Sequence, residues 1–319
     1  MARRKRYRLR PLVPIGVLVA AALVAGAWIG ARRPPTTVDA AASGPIVVGA
    51  PAVHTERAVP MAPEHLLTGD DTVPHAFTPQ LTAKAAIVVD AGSGRVIWGS
   101  RVHTRLKVAS LTKIMTALLA LQKLQPNDVV TVDKSVPRVP LVREGLRAGE
   151  KVKAWKLFYA MLLYSGNDDA LALAIAAGGD KWTFVREMND EARRLGLRDT
   201  HFISPSGVVD RDNYSSAWDL AALSRVAMRN ARFRRVVHTK VIHVPWSAPT
   251  YSKIYVNNNL MLRSYPGANG IKTGYTHKSG PCLVVSATRS GRTLIAVLLD
   301  DANMYADGTR LLNLGFSAA

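Results

Sequence analysis

The stretch Val108-Ala109-Ser110-Leu111-Thr112-Lys113-Ile114-Met115-Thr116-Ala117-Leu118-Leu119 sets a hydroxyl and an amine three residues apart at the head of a long apolar run. On a helix, positions i and i+3 share a face, so Ser110 would stand at the first turn with Lys113 one turn deeper beside it. That is a nucleophile with a base in reach. The helix start adds the positive end of the dipole and a free backbone N–H that can donate to a developing oxyanion. By itself the pair is unspecific. With 18 serines and 14 lysines in 319 residues, chance supplies about 0.8 matches to S-x-x-K. A helix cap beside a solvated lysine fits the same residues. The rest of the chain has to decide.

Just upstream, Ala85-Ala86-Ile87-Val88-Val89-Asp90 reads as a strand, Ala91-Gly92-Ser93-Gly94 as a turn, and Arg95-Val96-Ile97-Trp98 as the returning strand. The folded domain therefore starts near Leu81 and spans 81–319. From Arg32 to about Gln80 lie eight of the eighteen prolines and no lasting periodicity, so 32–80 reads as an extended, poorly ordered linker. Before it, Leu12 to Ala31 carries no charge, enough helix to cross a bilayer core. Residues 11–31 are the expected transmembrane signal-anchor. The basic cluster Arg3, Arg4, Lys5, Arg6, Arg8 and Arg10 keeps residues 1–10 in the cytoplasm and the domain outside. A cleaved signal peptide competes, because Ala25-Gly26-Ala27 resembles a cleavage site; the length of the apolar run favours the anchor.

The whole chain carries 42 basic and 23 acidic side chains, a formal net charge of +19, which suits an anionic membrane surface or wall polymer. No stretch interleaves basic and aromatic residues and no DNA-binding motif occurs, so nucleic acid is not an expected partner. The single Cys282 can form no internal disulfide and sits in an apolar strand, where a buried small hydrophobe is the expectation.

Downstream, residues from about 126 to 235 read as mostly helical. Lys153 to Leu163 has helical spacing and stops at the turn Tyr164-Ser165-Gly166-Asn167. Asp168 or Asp169 opens the next helix, to Ala177. Trp182 to Leu195 is amphipathic and ends at Gly196, and Ser216-Ala217-Trp218-Asp219 fits a capping box ahead of Leu220 to Met228. The last third returns to strands at 241–244, 270–276, 283–288 and 294–299, the last two joined by Ser290-Gly291, with a short helix from Arg310 to Phe316. Strands at both ends with helices between predict an α/β (α+β) fold: an antiparallel sheet assembled from both chain ends, flanking helices and an all-helical insert. A site is expected in the cleft between them.

Three motifs now stand in order: Ser110-x-x-Lys113, Ser165-Gly166-Asn167 and Lys272-Thr273-Gly274. With the flanking stretches Pro266 to Thr276 and Leu311 to Phe316, the chain from about Leu81 to Phe316 resembles the serine-type D-alanyl-D-alanine carboxypeptidases, the low-molecular-mass penicillin-binding proteins of β-lactamase/DD-peptidase-like fold. The resemblance implies that Ser110 attacks the carbonyl between two D-alanines of a peptidoglycan stem peptide and that a neutral Lys113 takes its proton. It implies that Ser165 relays a proton to the departing amine and that Asn167 holds the substrate amide. Lys272 and Thr273 of the Lys272-Thr273-Gly274 motif would face the terminal carboxylate. The N–H groups of Ser110 and Tyr275 would form the oxyanion hole. β-Lactam antibiotics would be covalent inhibitors, and no metal or other cofactor is implied. A transpeptidase, a β-lactamase or an idle penicillin-binding envelope protein on the same fold are the competing readings. Three departures stand out. Val108 replaces a usual proline, Pro281 a common aromatic or polar residue, and Asp300-Asp301-Ala302-Asn303 a segment that often carries a basic residue.

Overall fold

The computed structural model describes residues 66–69, 79–208, 213–247 and 251–318. The expected anchor and most of the expected linker lie outside them. Among the described residues no helix is long and apolar enough to cross a membrane.

The sheet comes from both chain ends, as the sequence predicts. Strands β1 (Ala85–Asp90) and β2 (Val96–Ser100) form its first hairpin. Strands β7 (Ala268–Thr276), β8 (Gly280–Arg289) and β9 (Arg292–Leu299) come last in the chain. The order is β2-β1-β9-β8-β7, every pair antiparallel, with β7 at an edge. Ser290 and Gly291 both adopt positive φ in the β8–β9 turn, the geometry that matches strand twist. Alternation along the strands buries both faces. Ile87, Val284 and Val297 point into the larger core with the helices, and Val88, Leu283 and Leu298 into a second core. That second core is closed by the C-terminal helix, Met304–Ser317.

The insert is built around α1 (Lys113–Lys123), which follows a 3-10 turn over Ala109–Thr112 and is buried from Lys113 to Leu121. It is accompanied by α2 (Ala154–Tyr159), α3 (Asn167–Gly178), α4 (Lys181–Arg194), α5 (Ala217–Ala227) and α6 (Ala231–His238). The short α7 (Met261–Ser264) precedes β7, and the C-terminal helix is α8. The Asp180 side chain caps α4, and Ser216 caps α5 by accepting from Asp219 N–H.

Several expectations are corrected. The middle third is not all helical: β3 (Val129–Thr131) and β4 (Lys151–Lys153) pair as a hairpin whose long loop carries Leu141 and Val142 to the cleft. The helix predicted from Lys153 breaks into a π-helical turn over Ala160–Tyr164 and ends with Ser165 in the left-handed region, φ 76°. Strand β5 (Val241–Val244) pairs with β6 (Lys253–Val256) as a separate ribbon outside the main sheet. α8 begins at Met304 rather than Arg310. The domain also starts before Leu81. Leu66 and Leu67 are buried, and Thr68 bridges to Arg95, so this part of the expected linker packs on the sheet.

Candidate active site

Four elements converge on one cleft of about 490 Å³. The 3-10 turn brings Ser110, the π-helical turn ends on Ser165, α3 opens with Asn167, and β7 brings Thr273, Gly274 and Tyr275. Leu141, Val142, Tyr164, Val256, Leu260 and Tyr305 supply apolar walls. The strand reaches the turn because Gly274 lacks a side chain. A Cβ there would stand 2.9 Å from Val108 O and 3.1 Å from Ser110 N. Ala109, just before Ser110, is held at φ 46°, a region that costs a non-glycine residue energy and that clusters at functional sites. As the sheet's edge strand, β7 also offers backbone donors and acceptors that β8 does not use.

Lys113 is fully buried. Its Nζ lies 2.9 Å from Ser110 Oγ, 2.8 Å from Asn167 Oδ1 and 3.1 Å from Ser206 O. The last two are acceptors only. A neutral amine has two hydrogens and one lone pair, so it satisfies both acceptors and still accepts from the Ser110 hydroxyl. The surroundings favour that form. Burial, and then repulsion from Lys272, hold the Lys113 amine well below the usual lysine range, against an opposing pull from Asp169 and Asp168. That pull is weakened, because burial pushes Asp169 well above the usual carboxyl range.

Lys272 is also buried, which lowers its amine to about 7. It donates to Ser165 Oγ at 3.1 Å and to Thr273 O at 2.9 Å. Ser165 is therefore tied to Lys272. Asn167 lines the cleft, where its Oδ1 accepts from Lys113 and its Nδ2 donates to Pro140 O at 3.1 Å. All eight residues singled out in the sequence meet here: Ser110, Ser165, Asn167, Thr273, Gly274 and Tyr275 on the cleft wall, with Lys113 and Lys272 behind it.

Sequence reading missed the supports. Ser206 O holds Lys113 from ninety-three residues away, and Asn213 Nδ2 donates to Thr112 Oγ1 at 2.8 Å. The Asp168 carboxylate accepts from Glu144, Gly145 and Leu146 N–H at 2.8, 2.8 and 3.1 Å. Glu144, buried behind that loop, pairs with Lys253. Only Asp168's place beside the middle motif hinted at such a role. Asp300 and Asp301 lie off the cleft. Asp300 pairs with Lys84 at 2.5 Å, and Asp301 accepts from Thr82 Oγ1 and from Asn303 N–H. Cys282 is buried, which pushes its thiol up to about 12, as the reading of a small hydrophobe requires.

A serine paired with a buried lysine, on this sheet and insert, defines a serine acyl-transfer fold. Residues 72–303 match the family described as D-alanyl-D-alanine carboxypeptidase, and the chain belongs to that family. Among curated relatives it is 34% identical over 262 residues to the D-alanyl-D-alanine carboxypeptidase of Streptomyces sp. strain K15, covering 75% of this chain and 89% of that one. It is 31% identical over 244 residues to D-alanyl-D-alanine carboxypeptidase DacF of Bacillus subtilis strain 168, covering 74% of this chain but 62% of DacF. Its fold is similar to the crystal structure of the Streptomyces K15 DD-transpeptidase, with TM-score 0.72 and 32% identity, covering 76% of this chain and all of that one.

Proposed function

We propose that this chain removes the terminal D-alanine from peptidoglycan stem peptides ending in D-Ala-D-Ala, through an acyl-enzyme on Ser110, and that β-lactams acylate the same oxygen. The observation that carries the reading is the 2.9 Å contact between Lys113 Nζ and Ser110 Oγ, at an amine that burial and Lys272 hold well below the usual lysine range. Ser110 Oγ attacks the carbonyl carbon between the two D-alanines and Lys113 takes its proton. The N–H groups of Ser110 and Tyr275 receive the oxyanion. Ser165, held by Lys272, relays that proton from Lys113 to the departing amine as the C–N bond breaks, which leaves Lys113 neutral and Ser165 protonated. Lys272 and Thr273 receive the terminal carboxylate, and Gly274 lets their strand lie against the turn. Water then attacks the ester with Lys113 again as base. D-Alanine release from a D-Ala-D-Ala peptide tests the activity. Intact mass after penicillin treatment should show one adduct on the Ser110 peptide, absent from Ser110→Ala. An adduct retained in that variant would sink the assignment.

An amine acceptor in place of water would make the same acyl-enzyme a transpeptidase, the activity named for the Streptomyces K15 structure. Adding acceptor peptides with an N-terminal glycine and weighing ligated product against hydrolysed product separates the two.

The catalytic domain is placed outside the cytoplasmic membrane, tethered by Leu12 to Ala31. The basic cluster ahead of that apolar run supports this orientation. Protease added to intact spheroplasts should remove the domain. Cleavage only after lysis would contradict it.

A further inference from the structure

From Leu220 to Leu299 the sequence contains no aspartate or glutamate and twelve lysines and arginines. At the chain's overall acidic content, about six acidic residues are expected in such a span. The fold gathers part of this one-signed stretch into a groove away from the catalytic serine. One hollow, about 540 Å³, is lined by His238, Lys240, Arg263 and the start of β7. A second, about 650 Å³, is lined by Arg225, Arg229, Arg234 and Arg292. The two share Asn269 and Thr288, so they form one track. At its near end Arg263 also lines the catalytic cleft, and β7 runs from Asn269 in the track to Lys272.

Two arginines of the track are held by backbone oxygens. Arg234 donates to Met228 O and Arg229 O, both at 2.8 Å, and Arg225 donates to Ala91 O at 2.7 Å. The carboxylate lining it is Asp90, which pairs with Arg292 at 2.9 Å. Among the described residues, Arg234, Lys240 and Arg263 pair with no carboxylate. Fixed guanidinium groups suit bidentate oxyanions. Thr288, Ser264, Ser290 and Asn269 sit between them as neutral hydrogen-bonding groups. None of the large exposed apolar side chains lines either hollow, so the track lacks the apolar contacts that membrane-surface elements insert. Its shape and chemistry fit a flexible strand.

We propose that this track binds a linear polymer of phosphodiester-linked polyols, alongside the wall peptide that the catalytic cleft takes. Such a strand offers phosphates to the arginines and hydroxyls to the residues between them. Bound there, it would hold the enzyme against polymer-bearing wall without touching the reaction. The placement beside wall rests on the extracytoplasmic reading above; the binding itself does not.

The test uses the full chain in detergent, with purified poly(glycerol phosphate) as the probe and poly-L-glutamate, phosphatidylglycerol vesicles and duplex DNA as comparisons. Arg229→Gln, Arg234→Gln and Lys240→Gln are combined in one variant. Unchanged penicillin acylation and unchanged D-alanine release from a short peptide show that it folds. The expected result is saturable binding of poly(glycerol phosphate), weakened about tenfold or more in the variant, with the slope of log Kd against log salt reduced by about two. Equal binding by variant and wild type overturns the proposal. So does a variant-sensitive preference for vesicles, DNA or polyglutamate. Peptide hydrolysis without polymer binding would end this inference and leave the carboxypeptidase reading standing. Absence of hydrolysis with binding intact would do the reverse.

Discussion

At the scale of single residues, two buried amines in one site would govern the proposed chemistry. Lys113 acts as a base only when neutral, so acylation should rise with pH through its depressed pKa. Lys272, at about 7, is charged on the acid side of that value and repels a proton from Lys113 there. Lys272→Gln removes the repulsion, which raises the Lys113 pKa. The acid limb of the acylation-rate profile for a fluorescent penicillin should therefore move to higher pH, besides any loss of amplitude. A limb that stays put, or moves lower, would show that Lys272 does not tune the base. Asp169 belongs to the same electrostatics. Burial raises its carboxyl well above the usual range, which weakens the pull that its charge exerts on the Lys113 amine. The pair Ser110 and Lys113 was legible in the sequence because helical spacing alone brings them together. The contacts that make the lysine a base come from Asn167, Ser206 and Lys272, far along the chain, and no local pattern announces them.

At the scale of elements, the loop between β3 and β4 forms one wall of the cleft, and the Asp168 carboxylate accepts from three of its backbone N–H groups. Asp168→Ala leaves three backbone N–H groups of that loop without their acceptor. It should lower stability by about 2–4 kcal/mol and loosen Leu141 and Val142. Denaturant melts with hydrogen exchange over residues 140–146 would measure both, and an unchanged loop would contradict the assigned role. The sequence reads as helix through this region because its apolar residues outweigh short strands such as β3 and β4, each three residues long. Each strand has one buried residue between two exposed ones, too brief to register as alternation. The start of α8 is hidden for a different reason. Gly308 breaks the helical pattern in the sequence, yet a Cβ there would sit 3.1 Å from Leu283 Cδ2, so the glycine lets α8 lie close on the sheet. Packing outweighs propensity at that position.

At the scale of the whole molecule, the fate of the acyl-enzyme separates a peptidase from a β-lactamase. Class A β-lactamases add a glutamate that activates water, on a loop after the middle motif. Downstream of Asn167 the glutamates are Glu187 and Glu191, both on α4. Glu187 pairs with Lys123 and Glu191 with Arg194, and neither lines the cleft. Penicillin should therefore inhibit lastingly while peptide turns over. Nitrocefin hydrolysis faster than D-alanine release on one preparation would reverse that assignment. The class of fold was legible because short apolar runs bounded by turn residues bracket helical periods. The strand order was not, since the pairing of Ala85 with Leu299 leaves no mark on either segment. That pairing sets a timetable for the enzyme's birth. β9, the middle strand of five, is the last of those five in chain order. A growing chain carries Ser110 from early on, but β1 and β8 have nothing to join them until residue 299 emerges. The sheet that carries Lys272 therefore cannot close on the first hairpin until that strand is made.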